Sequence, residues 1–137
     1  MRLQDFIEKG EARKAARDIS LAKALLSTAE NDLKFLKNLP INQTSARKIM
    51  SNYYDILRSI VEAISALDGY KIYSHEAFTY FLKEKGEELI AQKFDRFRRI
   101  RNKINYYGKN ITAEETEENV KEIMRLIQEL KKKHLRL

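Results

Sequence analysis

The fold is decided by residues 44–67, which read TSARKIMSNYYDILRSIVEAISAL. Apolar side chains recur there at steps of three and four residues, at Ile49, Tyr53, Ile56, Ile60, Ile64 and Leu67. This spacing places them on one face of an α-helix, and such a face packs against the other elements of a core. The segment therefore predicts a long amphipathic helix, which Asp68-Gly69 ends.

The chain before this helix is predicted to be helical from about Leu3 to Leu39. Its inner positions have helical spacing and are Ile19, Ala22, Leu25, Leu26, Ala29, Leu33 and Leu36. Gly10 kinks or divides this stretch, because a glycine inside a helix is unfavourable by about 1 kcal/mol relative to alanine. Residues 1–10 are therefore expected to form, at most, an extra N-terminal turn. Pro40 ends the stretch, since proline disfavours helix in the residue before it.

Three further helices are predicted after residue 70. A short one follows Ser74, which the pattern places at the N-cap, and a fourth helix runs from Glu87 to about Tyr106. Residues 107–110 read as a turn, and Thr112 to Glu115 is a capping box that opens the last helix. Strand-type alternation is absent. The predicted fold is all-α, an antiparallel four- to five-helix bundle in one domain of residues 1–137.

Composition excludes several classes of site. The chain has no cysteine, which excludes disulfides, thiolate nucleophiles and cysteine-based metal sites. His75 and His134 are the only histidines and lie far apart in sequence, so neither a metal site nor a cofactor is expected. No apolar leader follows Met1, and no run approaches the roughly 18 apolar residues that span a bilayer. We expect a cytoplasmic protein with no membrane partner.

The net charge of +7 is concentrated in one stretch. Between Ala91 and Asn110 the basic residues are Lys93, Arg96, Arg98, Arg99, Arg101, Lys103 and Lys109. Asp95 is the one acid among them, so the stretch holds a net +6 of the total. A local basic block favours an anionic partner, nucleic acid first. A solvated helix face is the other interpretation of the same block.

The fourth predicted helix places Arg101 on its apolar face. At about 100° per residue, Arg101 falls in the same stripe as Ile90, Phe94, Phe97 and Ile104. The stripe is flanked by Arg98, Asn102 and Asn105, and Arg96, Arg99 and Lys103 lie further out. A buried unpaired charge is very unfavourable, so Arg101 either faces a cleft or pairs with an acid of another helix, such as Asp55 or Glu62. In a cleft, its rigid bidentate fork suits a phosphate.

Residues 97–108 read FRRIRNKINYYG and resemble the motif helix of HEPN domains. Those domains carry an arginine, usually followed by asparagine or another polar residue, and a histidine four to six residues further on. Upstream, Asn52-Tyr53-Tyr54-Asp55 and the stretch from Gly69-Tyr70 to Ser74-His75-Glu76 are similar to the second helix of the family and the loop after it. The resemblance covers about residues 15–135 and is to short archaeal HEPN-like proteins of the toxin–antitoxin, nucleotidyltransferase-associated type.

The resemblance implies a helical bundle, commonly a homodimer, in which the motif helices meet across the dimer cleft. Many members are metal-independent ribonucleases, others are partnered by a minimal nucleotidyltransferase in toxin–antitoxin pairs, and some only bind. Arg101 corresponds to the motif arginine, and Asn102 corresponds to the polar residue after it. Tyr106 stands at the commonest position of the motif histidine, and no histidine occurs between Arg101 and Lys133.

The missing histidine predicts weak or absent ribonuclease activity. Metal-independent cleavage needs a base for the 2′-hydroxyl with a pKa near the working pH, and tyrosine has a reference pKa of about 10. His75 is the alternative base, although a helix-capping or packing role is its other interpretation. An active site would be that of a metal-independent endoribonuclease with Arg101, Asn102 and Tyr106 as its catalytic residues.

Two function hypotheses follow. In the first, the chain is an RNA-binding or RNase-related protein whose phosphate-binding residues are Arg98, Arg99, Lys103, Asn105, Tyr54 and His75. In the second, it is a non-catalytic module that partners a nucleotidyltransferase. A basic cleft around Arg101 favours RNA, and an acidic or apolar cleft favours a protein partner.

Three further side chains complete the sequence-based assignments. Tyr53 belongs to the core stripe. Tyr54 lies off that stripe and either lines a cleft, where it stacks on a base or bonds to Arg101, or belongs to the core or an interface. His134, in a basic tail, is expected to be solvated.

Overall fold

The computed structural model describes residues 1–137 and contains six helices and one two-stranded ribbon. The elements in chain order are α1 (Leu3–Glu8), β1 (Ala12–Lys14), α2 (Ile19–Lys37), α3 (Ala46–Leu67), β2 (Tyr70–Ile72), α4 (His75–Glu84), α5 (Glu88–Tyr107) and α6 (Ala113–His134). The chain is therefore mostly helical, and the two strands pair with each other alone.

Helix α3 lies at the centre of the fold. It contacts α2, α4, α5 and α6, and every member of its predicted stripe from Ile49 to Leu67 is buried. Burying one such side chain contributes roughly 1.5–3 kcal/mol. One contiguous apolar core extends from Leu3 in α1 to Leu135 after α6. The pattern in residues 44–67 thus predicts the element around which the others pack.

The amino-terminal region differs from the single helical stretch predicted there. Helix α1 ends at Glu8, Gly10 adopts a left-handed φ of +77°, and β1 follows. Strand β1 pairs with β2 in antiparallel register, with Ala12 opposite Ile72, so the chain is mostly helical, as predicted, but not entirely α. Strands of three residues are too short to show a two-residue period, and their pairing joins segments that are distant in sequence. Gly69, which directly precedes β2, does not tolerate a side chain. An added Cβ would lie 2.9 Å from the Ala15 carbonyl oxygen, and the φ of +82° favours glycine.

Helix α2 also departs from its predicted inner face at one position. Ala22, Ala29, Leu33 and Leu36 are buried as expected, but Ile19 is exposed. Ile19 is the first residue of α2. The helix therefore enters the core only after its first residue.

The helix ends near the site follow the sequence closely. The Ser74 hydroxyl accepts the Ala77 N–H at 3.2 Å, which confirms the predicted N-cap of α4. The Thr112 hydroxyl accepts the Glu115 N–H at 3.0 Å. The reciprocal bond of the capping box is absent, because the Glu115 carboxylate accepts the Thr112 hydroxyl instead. Gly108, with a φ of +62°, follows the last residue of α5.

None of the six helices combines the length and the apolar character needed to cross a bilayer. No three acidic or histidine side chains lie close enough together to hold a metal ion.

Candidate nucleic-acid interface

Helix α5 presents the basic block. Phe94 and Phe97 are fully buried and Ile104 nearly so, which fixes the rotation of the helix. Arg101, predicted to share their stripe, retains only 18% of its side-chain exposure. The guanidinium is therefore held at the edge of the core and faces α3, where Asp55 and Tyr54 lie.

The guanidinium of Arg101 makes no strong polar contact within the chain. Its Nη2 lies 3.7 Å from Asp55 Oδ1, which is an ion pair but too long for a hydrogen bond. Its Nε is buried and has no acceptor. The guanidinium carbon lies 5.9 Å from the centre of the Tyr54 ring, within cation–π distance. Of the two partners expected for Arg101, Asp55 is the one found, while Glu62 pairs with Arg58 at 2.8 Å.

Tyr54 and His75 form a hydrogen-bonded pair beside Arg101. The Tyr54 hydroxyl lies 2.9 Å from His75 Nδ1. The Tyr54 ring has no exposed surface, so it offers no face to a base and belongs to the core. His75 is the first residue of α4 rather than part of a loop, and it is half-buried. The pair thus lies beside Arg101, with the Tyr54 ring in the core.

Burial of this pair keeps both side chains neutral at neutral pH. Burial lowers the pKa of His75 to about 4, and three nearby guanidinium groups, those of Arg58, Arg101 and Arg98, lower it in the same direction. Burial also raises the pKa of the Tyr54 hydroxyl, although the arginines oppose that shift. A neutral imidazole with so low a pKa is a weak proton acceptor, because general bases work best with a pKa near the operating pH.

The pKa of Asp55 also depends on its surroundings. Burial raises the pKa of its carboxyl, and Arg101 and Arg58 oppose that rise. Its side chain is 43% exposed, which makes it the most accessible part of the pair with Arg101. A solvent-screened ion pair of this kind contributes little to stability.

The tertiary structure brings more acids to the basic block than its sequence shows. Asp95 forms ion pairs with both Arg98, at 2.8 Å, and Arg99, at 2.9 Å. Glu122 of α6 lies 3.3 Å from Arg96 and also pairs with Lys93. With Asp55 on Arg101, five of the seven basic residues have an acidic partner. The free positive charge is therefore smaller than the sequence count implies, and the two bases without a partner are Lys103 and Lys109.

A groove of about 430 Å³ runs between α4 and α5. Its charged lining side chains are Lys83, Arg96, Arg98, Arg99 and Lys103, opposed by Glu76 and Asp95. The groove is therefore basic. Arg99 is the most open of the ion-paired arginines, with 70% of its side chain exposed.

The residues after Arg101 are spread around the helix. Asn102 is half-buried, and Asn105 accepts a hydrogen bond from the Ser51 hydroxyl at 3.0 Å. Tyr106 is 70% exposed and has no hydrogen bond. Five residues on an α-helix correspond to a rotation of about 140° from the first position, so Tyr106 and Arg101 of one chain do not face the same point.

His134 does not stand free in solvent, as its basic surroundings suggested. Its Nε2 lies 2.7 Å from Glu87 Oε2, and its side chain is only 18% exposed. Glu87 precedes α5 and His134 ends α6, so the expectation overlooked a contact that forms only when these two helices meet.

Arg58 is the site residue that the sequence-based reasoning missed. It lies four residues after Tyr54 and four before Glu62, a spacing that places all three near one flank of α3.

The resemblance to HEPN domains rests on residues 97–108 and on the two upstream segments. Comparisons with models of protein families, with curated proteins and with solved structures give no significant match for this chain.

Proposed function

We propose that this chain is a HEPN-like, RNase-related RNA-binding protein whose α5 surface holds the phosphate backbone, with weak or absent turnover. The observation that carries the proposal is Arg101. A largely buried guanidinium that makes no hydrogen bond is unfavourable by itself. A bound phosphate would provide the acceptors that the chain does not supply.

The chemistry of the surroundings supports a phosphate ligand. A guanidinium presents donors in a planar fork that matches phosphate oxygens. Arg98 and Arg58 lie close enough to act on the same Tyr54–His75 pair as Arg101. The neighbouring groove between α4 and α5 is basic, which favours an anionic partner such as the phosphate backbone of a nucleic acid. The alternative, docking of a nucleotidyltransferase, would be favoured by an acidic or apolar cleft.

The same geometry supports binding without efficient cleavage. His75 has a pKa near 4 and is bonded to Tyr54, and Tyr106 points to a different side of the helix from Arg101. No side chain beside Arg101 therefore combines reach with a pKa near neutrality. General-base help is typically worth 10²–10⁴-fold, so its loss leaves mainly electrostatic stabilisation by the guanidinium.

The test compares two arginine variants in their binding to a labelled single-stranded RNA by fluorescence anisotropy. Arg101→Ala is expected to weaken binding about tenfold or more, the range for losing a hydrogen bond to a charged group. Arg125→Ala is the control, because Arg125 is an exposed, unpaired arginine on α6. Equal affinities of the two variants would contradict the proposal.

A second measurement tests the basic surface as a whole. Affinity should fall steeply with salt, with a slope of about −0.7 for each phosphate contact on a single strand. Replacing Arg98, Arg99 and Lys103 by glutamate should abolish binding. Since Arg98 and Arg99 both pair with Asp95, circular dichroism must show that the triple variant is folded. A folded triple variant that binds as well as the parent would mean that the block is only a solvated face.

A further inference from the structure

Two adjacent tyrosine rings stand in solvent at the end of α5. Tyr106 is 70% exposed and Tyr107 is 82% exposed, and neither hydroxyl has a partner. Exposed aromatic side chains are normally isolated, because their burial stabilises the fold. Here they occupy consecutive positions in the last turn of a helix that is otherwise anchored by Phe94 and Phe97. Neither ring therefore contributes to the packing of the core.

Basic side chains without an ion-pair partner line two grooves near this end of α5. The first groove, of about 180 Å³, is lined by Lys103, Lys109 and the acidic Glu115, and the Lys109 N–H donates to the Lys103 carbonyl, which returns the chain towards that groove. The second groove, of about 440 Å³, is lined by Arg47, Lys48 and the acidic Asp55, together with Asn105 and Gly108. All four bases are exposed and have no acidic partner within 4.0 Å. They contrast with the five ion-paired bases earlier in α5.

We infer that this surface, which we call the tyrosine patch (Arg47, Lys48, Lys103, Tyr106, Tyr107 and Lys109), binds unpaired bases of single-stranded RNA. Bases stack on aromatic rings in a sequence-tolerant way while basic side chains follow the phosphates. A duplex hides the faces of its bases, so it cannot use the rings. The inference rests on the proposed function, since it specifies the form of RNA that α5 recognises.

The arrangement also indicates a path for the bound strand. Lys103 lines both the groove beside the patch and the groove between α4 and α5. A strand whose bases stack at Tyr106 and Tyr107 can therefore continue with its phosphates past Lys103 towards Arg99. The tyrosine patch would bind the faces of the bases, and the groove between α4 and α5 would bind the phosphate backbone of the RNA.

The experiment measures affinity by anisotropy for three ligands of equal length, a single-stranded oligouridylate, the same strand with abasic sites, and a duplex RNA. The parent should bind the oligouridylate at least about fivefold more tightly than the abasic strand, the effect of stacking one base. The double variant Tyr106→Ala and Tyr107→Ala should lose that preference. The double variant Tyr106→Phe and Tyr107→Phe keeps both rings and should retain it.

The outcomes separate the two proposals. If the parent binds the abasic strand and the duplex as tightly as the oligouridylate, or if the alanine variant keeps the preference, the patch is not a stacking surface, whereas RNA binding by α5 stands. If the parent binds none of the three ligands, the proposed function itself fails. Both substitutions are at exposed positions, so circular dichroism should report an intact fold.

Discussion

Replacing Arg101 with methionine is expected to stabilise the protein while it weakens RNA binding. Methionine keeps a flexible apolar stem of similar length that can fill the same space. The substitution removes a buried Nε–H that has no acceptor. Relief of an unsatisfied buried donor is worth about 1–3 kcal/mol.

Two favourable contacts are lost in the same variant. The ion pair to Asp55 is 3.7 Å long and its acid is 43% exposed, so it contributes about 0–1 kcal/mol. The cation–π contact with Tyr54, at 5.9 Å, contributes about 0.5–1 kcal/mol. The expected net effect is therefore a gain of about 1 kcal/mol in the free energy of unfolding.

Arg98→Met is the matched control on the same helix. Arg98 is similarly buried, with 15% of its side chain exposed, but its Nε donates a hydrogen bond to Asp95 at 2.9 Å and its Nη2 forms an ion pair with the same carboxylate at 2.8 Å. Its replacement should lower stability by about 1.5–3 kcal/mol, the range for hydrogen bonds to charged groups. The two variants should thus shift the free energy of unfolding in opposite directions.

Urea unfolding followed by far-UV circular dichroism at neutral pH measures both effects. A structural ion pair at Arg101 would predict a loss of about 3–5 kcal/mol on removal of one partner. A loss of that size in Arg101→Met, matching or exceeding the loss in Arg98→Met, would refute the reasoning that Arg101 is held for a ligand.

Three further predictions concern catalysis, pH and assembly. Because the resemblance to HEPN domains implies that the motif helices meet across a dimer cleft, Tyr106→His should supply a base to the partner's Arg101 and create or raise ribonuclease activity, and adding Arg101→Ala should remove the gain. Robust cleavage of RNA by the parent, lost in Arg101→Ala, would mean that another base suffices. The free energy of unfolding should fall by roughly 1–2 kcal/mol as the pH drops from about 6.5 to about 4, because of the lowered pKa of His75 and after allowance for its partial exposure. The sign follows because the unfolded chain protonates His75 in that window and the folded chain does not; the raised pKa of Asp55 works against this fall, and His75→Asn should flatten the profile measured by thermal unfolding. We also predict a symmetric homodimer that shelters the groove between α2 and α3, next to the Arg101–Asp55 pair. Light scattering at tens of micromolar should show a dimer that Phe35→Glu converts to a monomer, because Phe35 is 64% exposed on the groove shared with Asp55 and Arg58, and a parent that remains monomeric would count against it.

The helical elements could be predicted largely from local signals. Residues 44–67 carry a full apolar stripe, Ser74 and Thr112 cap helices as expected, and Gly108 follows the end of α5. These features depend on side chains within a few residues of each other. The position of Arg101 on the inner face of α5 followed from the same helical period, since Phe97 and Ile104 fix the rotation.

The tertiary structure alone decided what surrounds each charged group. Glu122 neutralises part of the basic block, His134 binds Glu87, and Tyr54 turns from a candidate stacking ring into a buried partner of His75. The pairing of β1 with β2 belongs to the same class, because it joins residues about 60 positions apart. Helical periodicity determines which way a side chain points from its own helix. It contains no information about which acid, ring or strand of another element meets that side chain, since that depends on how the elements pack.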